Sequence, residues 1–180
     1  MPPQGGRKGK SKMITDTKYT EGFRSMFREY DIRGQVSDDQ LCPANVYKIV
    51  KAYSKYLRRR NMLSAVVGYD NRSCSPAFAE AAVKALREEG IDVFFIGLTL
   101  SPAAYFAQYY LKCEGLVMIT ASHNPDGWSG FKLACGYSKT LEPDDIKEVY
   151  SLLDTPDTEC EEGKYEVVDV RDAYIDAIVS

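Results

Sequence analysis

The sequence predicts an α/β domain, a layered βαβ fold with a mostly parallel sheet flanked by helices and one antiparallel strand. Three observations carry this expectation. Short β-branched runs at 64–69, 91–96 and 115–120 alternate with stretches of helical periodicity. Two Ser-Pro pairs, Ser75-Pro76 and Ser101-Pro102, stand where a strand should give way to a helix. Hydrophobic residues make up 44% of the chain and charged residues 27%, a balance that supports a packed core.

The elements follow in order. Residues 1–22 are expected to be a flexible arm, native or left by cloning, because they open on a basic, Gly- and Pro-rich run with nothing to anchor a core. Residues 23–155 form the predicted domain. Val46, Ile49, Val50, Tyr53 and Leu57 share one face of a helix over 43–60. The run at 64–69 is a buried strand. A helix capped by Ser75 then buries Ala79, Ala82, Val83 and Leu86 and stops at Gly90. Strand 91–96, helix 101–111 and strand 115–120 repeat the pattern. After a loop at 121–128 comes a strand at 130–134, then a helix opened by Pro143-Asp144-Asp145, whose acids favour the positive end of the helix dipole. Residues 155–163 are acidic and aperiodic and read as a linker. A strand at 165–170 and a helix from Arg171 then read as the start of a second domain, cut short.

Composition narrows the function. Lys plus Arg is 23 against 26 for Asp plus Glu, so there is no electrostatic footprint for nucleic acid or an anionic membrane. No apolar run is long enough for a membrane span. The five cysteines are odd in number, widely spaced and lack a CxxC pair, which argues against zinc or a disulfide framework and for a reducing cytoplasm. His123 is the one histidine, so chemistry needing two imidazoles from this chain is excluded.

In an open α/β sheet, ligands bind beyond the carboxyl ends of the strands. Two polar loops are predicted there, at 70–76 and at 120–127. The second sets Ser122, His123 and Asn124 side by side, followed by Pro125 and Gly127. Ser122 has three readings: turn chemistry with its own backbone, a hydrolase nucleophile without a GxSxG elbow, or a serine that carries a phosphoryl group. The last needs cations, and His123, Lys132, Arg33 and Arg72 are available.

Three ordered motifs favour the last reading. The run Thr120-Ala121-Ser122-His123-Asn124-Pro125, followed by Gly130-Phe131-Lys132, resembles the TASHNP…GFK signature of the α-D-phosphohexomutases, the phosphomannomutase/phosphoglucomutase family. Residues 27–34 (FREYDIRG) resemble the family's FRxYDIRG, and residues 67–76 (VGYDNRSCSP) its VGxDxRxSSP loop. The family has four domains; residues 23–155 resemble the first, and residues 156–180 a linker and the start of the second. The resemblance implies exchange of hexose 1-phosphate and 6-phosphate through a sugar bisphosphate, with a sugar 1,6-bisphosphate as activator. Ser122 would be the phosphoserine and would bind Mg2+ through its phosphate. His123, Lys132 and Arg33 would be catalytic, and Tyr30 and Arg72 would line the cleft. The implied partners are a hexose phosphate and domains II–IV. The alternative is a stand-alone phosphosugar-binding or regulatory domain without turnover.

The sequence departs from the family pattern in places. The second-domain DGDxDR loop that supplies most magnesium ligands is absent, so the isolated chain is expected to be inactive. Cys74 replaces a usual Ser and reads as a packing residue. Trp128 reads as a surface aromatic at a domain seam or a contact to a sugar ring. The tyrosines at 105, 109 and 110 read as core or as an interface.

Overall fold

The structure is a computed structural model and describes residues 18–180. The expected arm at 1–17 lies outside the described residues, but residues 18–22 belong to the fold. Thr20 caps helix α1 (Glu21–Ser25) by accepting from the Phe23 amide at 3.0 Å. Tyr19 stacks on Phe23 at 4.7 Å and donates to Asp154 at 2.7 Å. A polar cap and an aromatic pair thus fix a segment whose composition alone looked unstructured.

The remaining elements are β1 (Ile32–Gln35), α2 (Pro43–Arg58), β2 (Ser64–Tyr69), α3 (Ser75–Glu88), β3 (Asp92–Leu98), α4 (Ser101–Tyr110), β4 (Gly115–Ile119), β5 (Trp128–Cys135), α5 (Pro143–Ser151), β6 (Tyr165–Val167) and α6 (Arg171–Val179). The sheet has the order β1-β5-β4-β2-β3-β6. Only β5 runs against its neighbours, β1 and β4; β4, β2, β3 and β6 are parallel.

Alternation along the central strands sorts side chains to two faces. Ala65, Val67, Val117, Ile119, Phe131 and Leu133 join the core packed by α2, α3 and α5. Val66, Leu116, Met118 and Ala134 pack with Ala104 and Ala107 of α4. Both faces are covered, so β4 is buried throughout and reads as an unbroken apolar run. Tyr53 of α2 reaches into this sheet: its hydroxyl meets the carbonyls of Leu116 and Ala134 and accepts from the Leu116 amide at 3.0 Å. Burial pushes that hydroxyl well above the ordinary tyrosine range.

Two expectations are corrected at helix starts. Ser75 and Ser101 are the first helical residues; Cys74 and Leu100 are the caps, and neither gives a side-chain capping bond. Residues 155–163, expected to be a linker, are tied to the helices of this domain. Lys51 donates to Asp157 at 2.5 Å, Lys55 donates to the Thr155 carbonyl at 2.6 Å, and Arg87 pairs with Glu162 at 2.8 Å. β6 ends at Val167 and pairs in parallel with β3, so it is an edge strand of this sheet and not part of a separate one. α6 buries none of its residues, and its Tyr174 ring lies 5.5 Å from Phe106 of α4.

Candidate active site

The parallel strands β2, β3 and β4 end on one edge, where their loops surround a cavity of about 610 Å³. Asp70 to Ser73 after β2, Thr99 to Ser101 after β3, and Thr120, Ser122 and Asn124 after β4 line it. The cavity is therefore a product of strand direction.

Ser122 is exposed and adopts φ +54°, a left-handed conformation that a β-carbon disfavours. Its amide donates to Thr120 Oγ1 at 2.9 Å, and the Asn124 amide to the Ala121 carbonyl at 3.1 Å. These bonds tighten the turn and hold Ser122 at its tip. Backbone strain of this kind concentrates at functional positions. Ser122 Oγ has no hydrogen-bond partner among the described residues, and none joins it to the exposed His123. The Ser–His bond that a hydrolase needs is not formed.

Arg33 stands beside the loop. Its Nη1 donates to Asn124 Oδ1 at 3.1 Å and its Nη2 to the buried Asp31 Oδ2 at 2.5 Å, while Nε is buried without a partner. Arg33 faces Gly130 across β1 and β5, and Lys132 follows two residues later on the same face, opposite Met118. Arg33 and Lys132 therefore share a sheet face with Met118, which lines the cavity. Tyr30 is 58% exposed and lines, with Arg28, Asp31 and Arg33, a smaller recess of about 220 Å³. Ser122, Asn124 and Arg72 line the larger cavity; His123, Lys132, Arg33 and Tyr30 do not.

Arg72 bridges the two loops. Its guanidinium donates to the carbonyls of Asn124 at 2.6 Å, Pro125 at 3.0 Å, Trp128 at 3.2 Å and Ser122 at 3.5 Å. Asp70 anchors it at 3.3 Å and also accepts from Ser75 Oγ at 2.6 Å. Trp128 is half-buried with the Arg28 guanidinium 5.7 Å from its ring centre, so a cation already occupies one ring face.

Sequence reasoning missed Asp31, Asn124 and Asp70 as site residues. The acid-x-Arg spacing of Asp31-Ile32-Arg33 and Asp70-Asn71-Arg72 was the available signal. Among the described residues, no group of three or more His, Cys, Asp and Glu side chains could hold a metal ion. The acids Asp144 and Asp145 are engaged at the start of α5, Asp145 accepting from the Glu142 amide at 2.9 Å and Asp144 from Lys147 at 2.7 Å.

Residues 24–159 match the family model for phosphoglucomutase/phosphomannomutase, alpha/beta/alpha domain I. A phosphomannomutase of Salmonella typhimurium is 34% identical over 158 residues, covering 85% of this chain and 34% of the relative. A phosphomannomutase/phosphoglucomutase of Pseudomonas putida is 34% identical over 155 residues, covering 86% and 33%. A crystal structure of a phosphoglucomutase/phosphomannomutase family protein from Burkholderia thailandensis superposes with a TM-score of 0.79 at 29% identity, over 86% of this chain and 35% of that one. The chain therefore spans about a third of the length of the curated relatives it matches. With motif order, sheet and loop placement in agreement, the chain belongs to the phosphoglucomutase/phosphomannomutase family, of which it carries the alpha/beta/alpha domain I.

Proposed function

We propose that this domain carries the transferable phosphoryl group of a mutase acting on hexose phosphates, with Ser122 as the carrier. The observation that supports this most is the Ser122 hydroxyl itself: exposed, unpartnered, and held by a strained turn at the carboxyl edge of the sheet. In the forward step, a sugar hydroxyl oxygen attacks the phosphorus on Ser122 and the P–Oγ bond breaks. The sugar hydroxyl loses its proton to a nearby base, and Ser122 Oγ takes one up. The sugar is then a bisphosphate, and the reverse transfer from its other phosphate restores phosphoserine. A sugar 1,6-bisphosphate would prime Ser122 in the same way.

Phosphoryl transfer depends on position and charge neutralisation around the equatorial oxygens. Arg33, with a buried and unpartnered Nε, and Lys132 on the same sheet face are the proposed stabilising cations. His123 and Lys132 are the proposed proton carriers, and Tyr30 and Arg72 the cleft residues. A magnesium ion would take from this chain only an oxygen of the phosphate on Ser122, because the described residues offer no carboxylate cluster. Its other ligands, the sugar-reading groups and domains II–IV would come from outside these residues, so the 180-residue chain alone should not turn over. Five free cysteines are in keeping with a reducing cytoplasm.

Ser122→Ala in the full-length chain should lower kcat by a factor on the order of 10³ or more, as loss of a covalent carrier does. Its circular dichroism should be unchanged, because the residue lies on an exposed loop. Retention of a large share of turnover would remove Ser122 from this role.

A further inference from the structure

Both terminal nitrogens of Arg72 are engaged by backbone carbonyls. An arginine offers five N–H groups in a fixed planar fork. Nε faces Asp70 Oδ2, Nη1 serves the carbonyls of Pro125 and Trp128, and Nη2 those of Ser122 and Asn124. Four carbonyl oxygens of one short loop converge on one cation. Their dipoles repel one another, so that convergence needs a positive centre. The cation is itself fixed, since Asp70 Oδ1 accepts from Ser75 Oγ at 2.6 Å and from the Arg72 amide at 3.2 Å. Both side chains are more than four-fifths buried, at 16% and 17% exposure.

We infer that Arg72 is a positioning residue: it holds the Ser122 loop in its strained form by gathering the loop's carbonyls, and does not contact the sugar phosphate. This rests on the reading of Ser122 as the phosphoryl carrier. Peptide planarity adds a consequence. In a trans peptide the N–H points opposite to the preceding C=O. Carbonyls of Ser122 and Pro125 turned toward Arg72 therefore turn the amides of His123 and Asp126 away from it. Neither amide has a hydrogen-bond partner among the described residues. The clamp sequesters the negative ends of the loop's dipoles and leaves positive ends free, the polarity that a phosphorylated serine requires.

Arg72→Lys in the full-length chain tests this, because lysine keeps the charge but has three donors on a flexible stem. Expected are a fall in kcat of about 100-fold, the loss typical of a misplaced reacting group, and a KM for the hexose phosphate within about twofold of wild type. Amide hydrogen exchange over residues 120–128 should quicken while strands β2 and β4 keep their protection. Exchange unchanged in that loop overturns the inference whatever the kinetics, and so does a loss expressed mainly as a raised KM. If Arg72→Lys does not fold, Asp70→Asn replaces it. That variant removes the charge that pairs with Arg72 and should show the same signature at about tenfold in kcat; unchanged exchange there overturns the inference equally. Ser122→Ala separates the two proposals. If it retains turnover, the carrier role fails, while quickened loop exchange in Ser122→Ala/Arg72→Lys relative to Ser122→Ala still upholds the clamp.

Discussion

A serine at φ +54° with an idle hydroxyl is uphill for the backbone, and its neighbours account for its persistence. Thr120 Oγ1 takes its amide, Arg72 takes its carbonyl, and Asn124 ties the loop to Arg33. At this scale Lys132 is the clearest remaining test. Lys132→Ala should lower kcat on the order of 100-fold with little change in KM, as expected of a contact made in the transition state. Weaker binding at unchanged kcat would remove it from the catalytic set. Tyr53→Phe tests packing instead. It strips a hydroxyl from the buried Leu116 amide and two carbonyls, and should cost about 1–3 kcal/mol of stability in a denaturant titration. An unchanged midpoint would show that those backbone groups find other partners. The family motifs were legible in the sequence because each lies within a short run. The job of Arg72 was not, since it depends on folding that brings the carbonyls of residues 122–128 to a loop some fifty positions earlier.

Elements with strong periodicity were legible. α2, α3 and β4 carry unbroken faces, and their predicted and observed spans differ by a residue or two. β1 was not, because Ile-Arg-Gly-Gln is only four residues long, with one β-branched side chain and a glycine; it becomes a strand by pairing with β5. The strand expected at 165–170 is present but shorter: β6 keeps its first three residues, all exposed, where they pair with β3. Gly130 is the point where β1 depends on its partner, for a β-carbon there would lie 2.3 Å from the Ile32 carbonyl oxygen. Gly130→Ala should separate the strands and cost about 1–3 kcal/mol, read from the urea midpoint. It should also reduce turnover, because Arg33 faces Gly130 in the register. A variant with wild-type stability and activity would contradict this account of β1.

Across the whole molecule, charge pairing turns an acidic segment into a strap. The Lys51 hydrogen bond holds the Asp157 carboxyl below its ordinary range, with burial opposing it and Lys55 assisting. A lowered carboxyl pKa contributes stability that is present above the unfolded value, about 3.9, and is lost as pH falls through the folded value. Glu88 and the buried Glu89 face the same lysines, Lys51 at 3.4 and 3.6 Å. Protection of the amides at 155–163, corrected for intrinsic exchange rates, should therefore drop as pH falls below about 4 while that of β4 persists. Constant protection of the strap would mean that backbone contacts alone hold it. The central claim concerns Ser122, and one measurement tests it most directly. The full-length protein, purified from its source cells and exposed to a hexose 1,6-bisphosphate, is mapped by fragment mass spectrometry before and after addition of hexose 1-phosphate. The account predicts a phosphate on Ser122 that passes to the sugar. A phosphate at another residue, or none on Ser122 in a preparation that turns over, would contradict it.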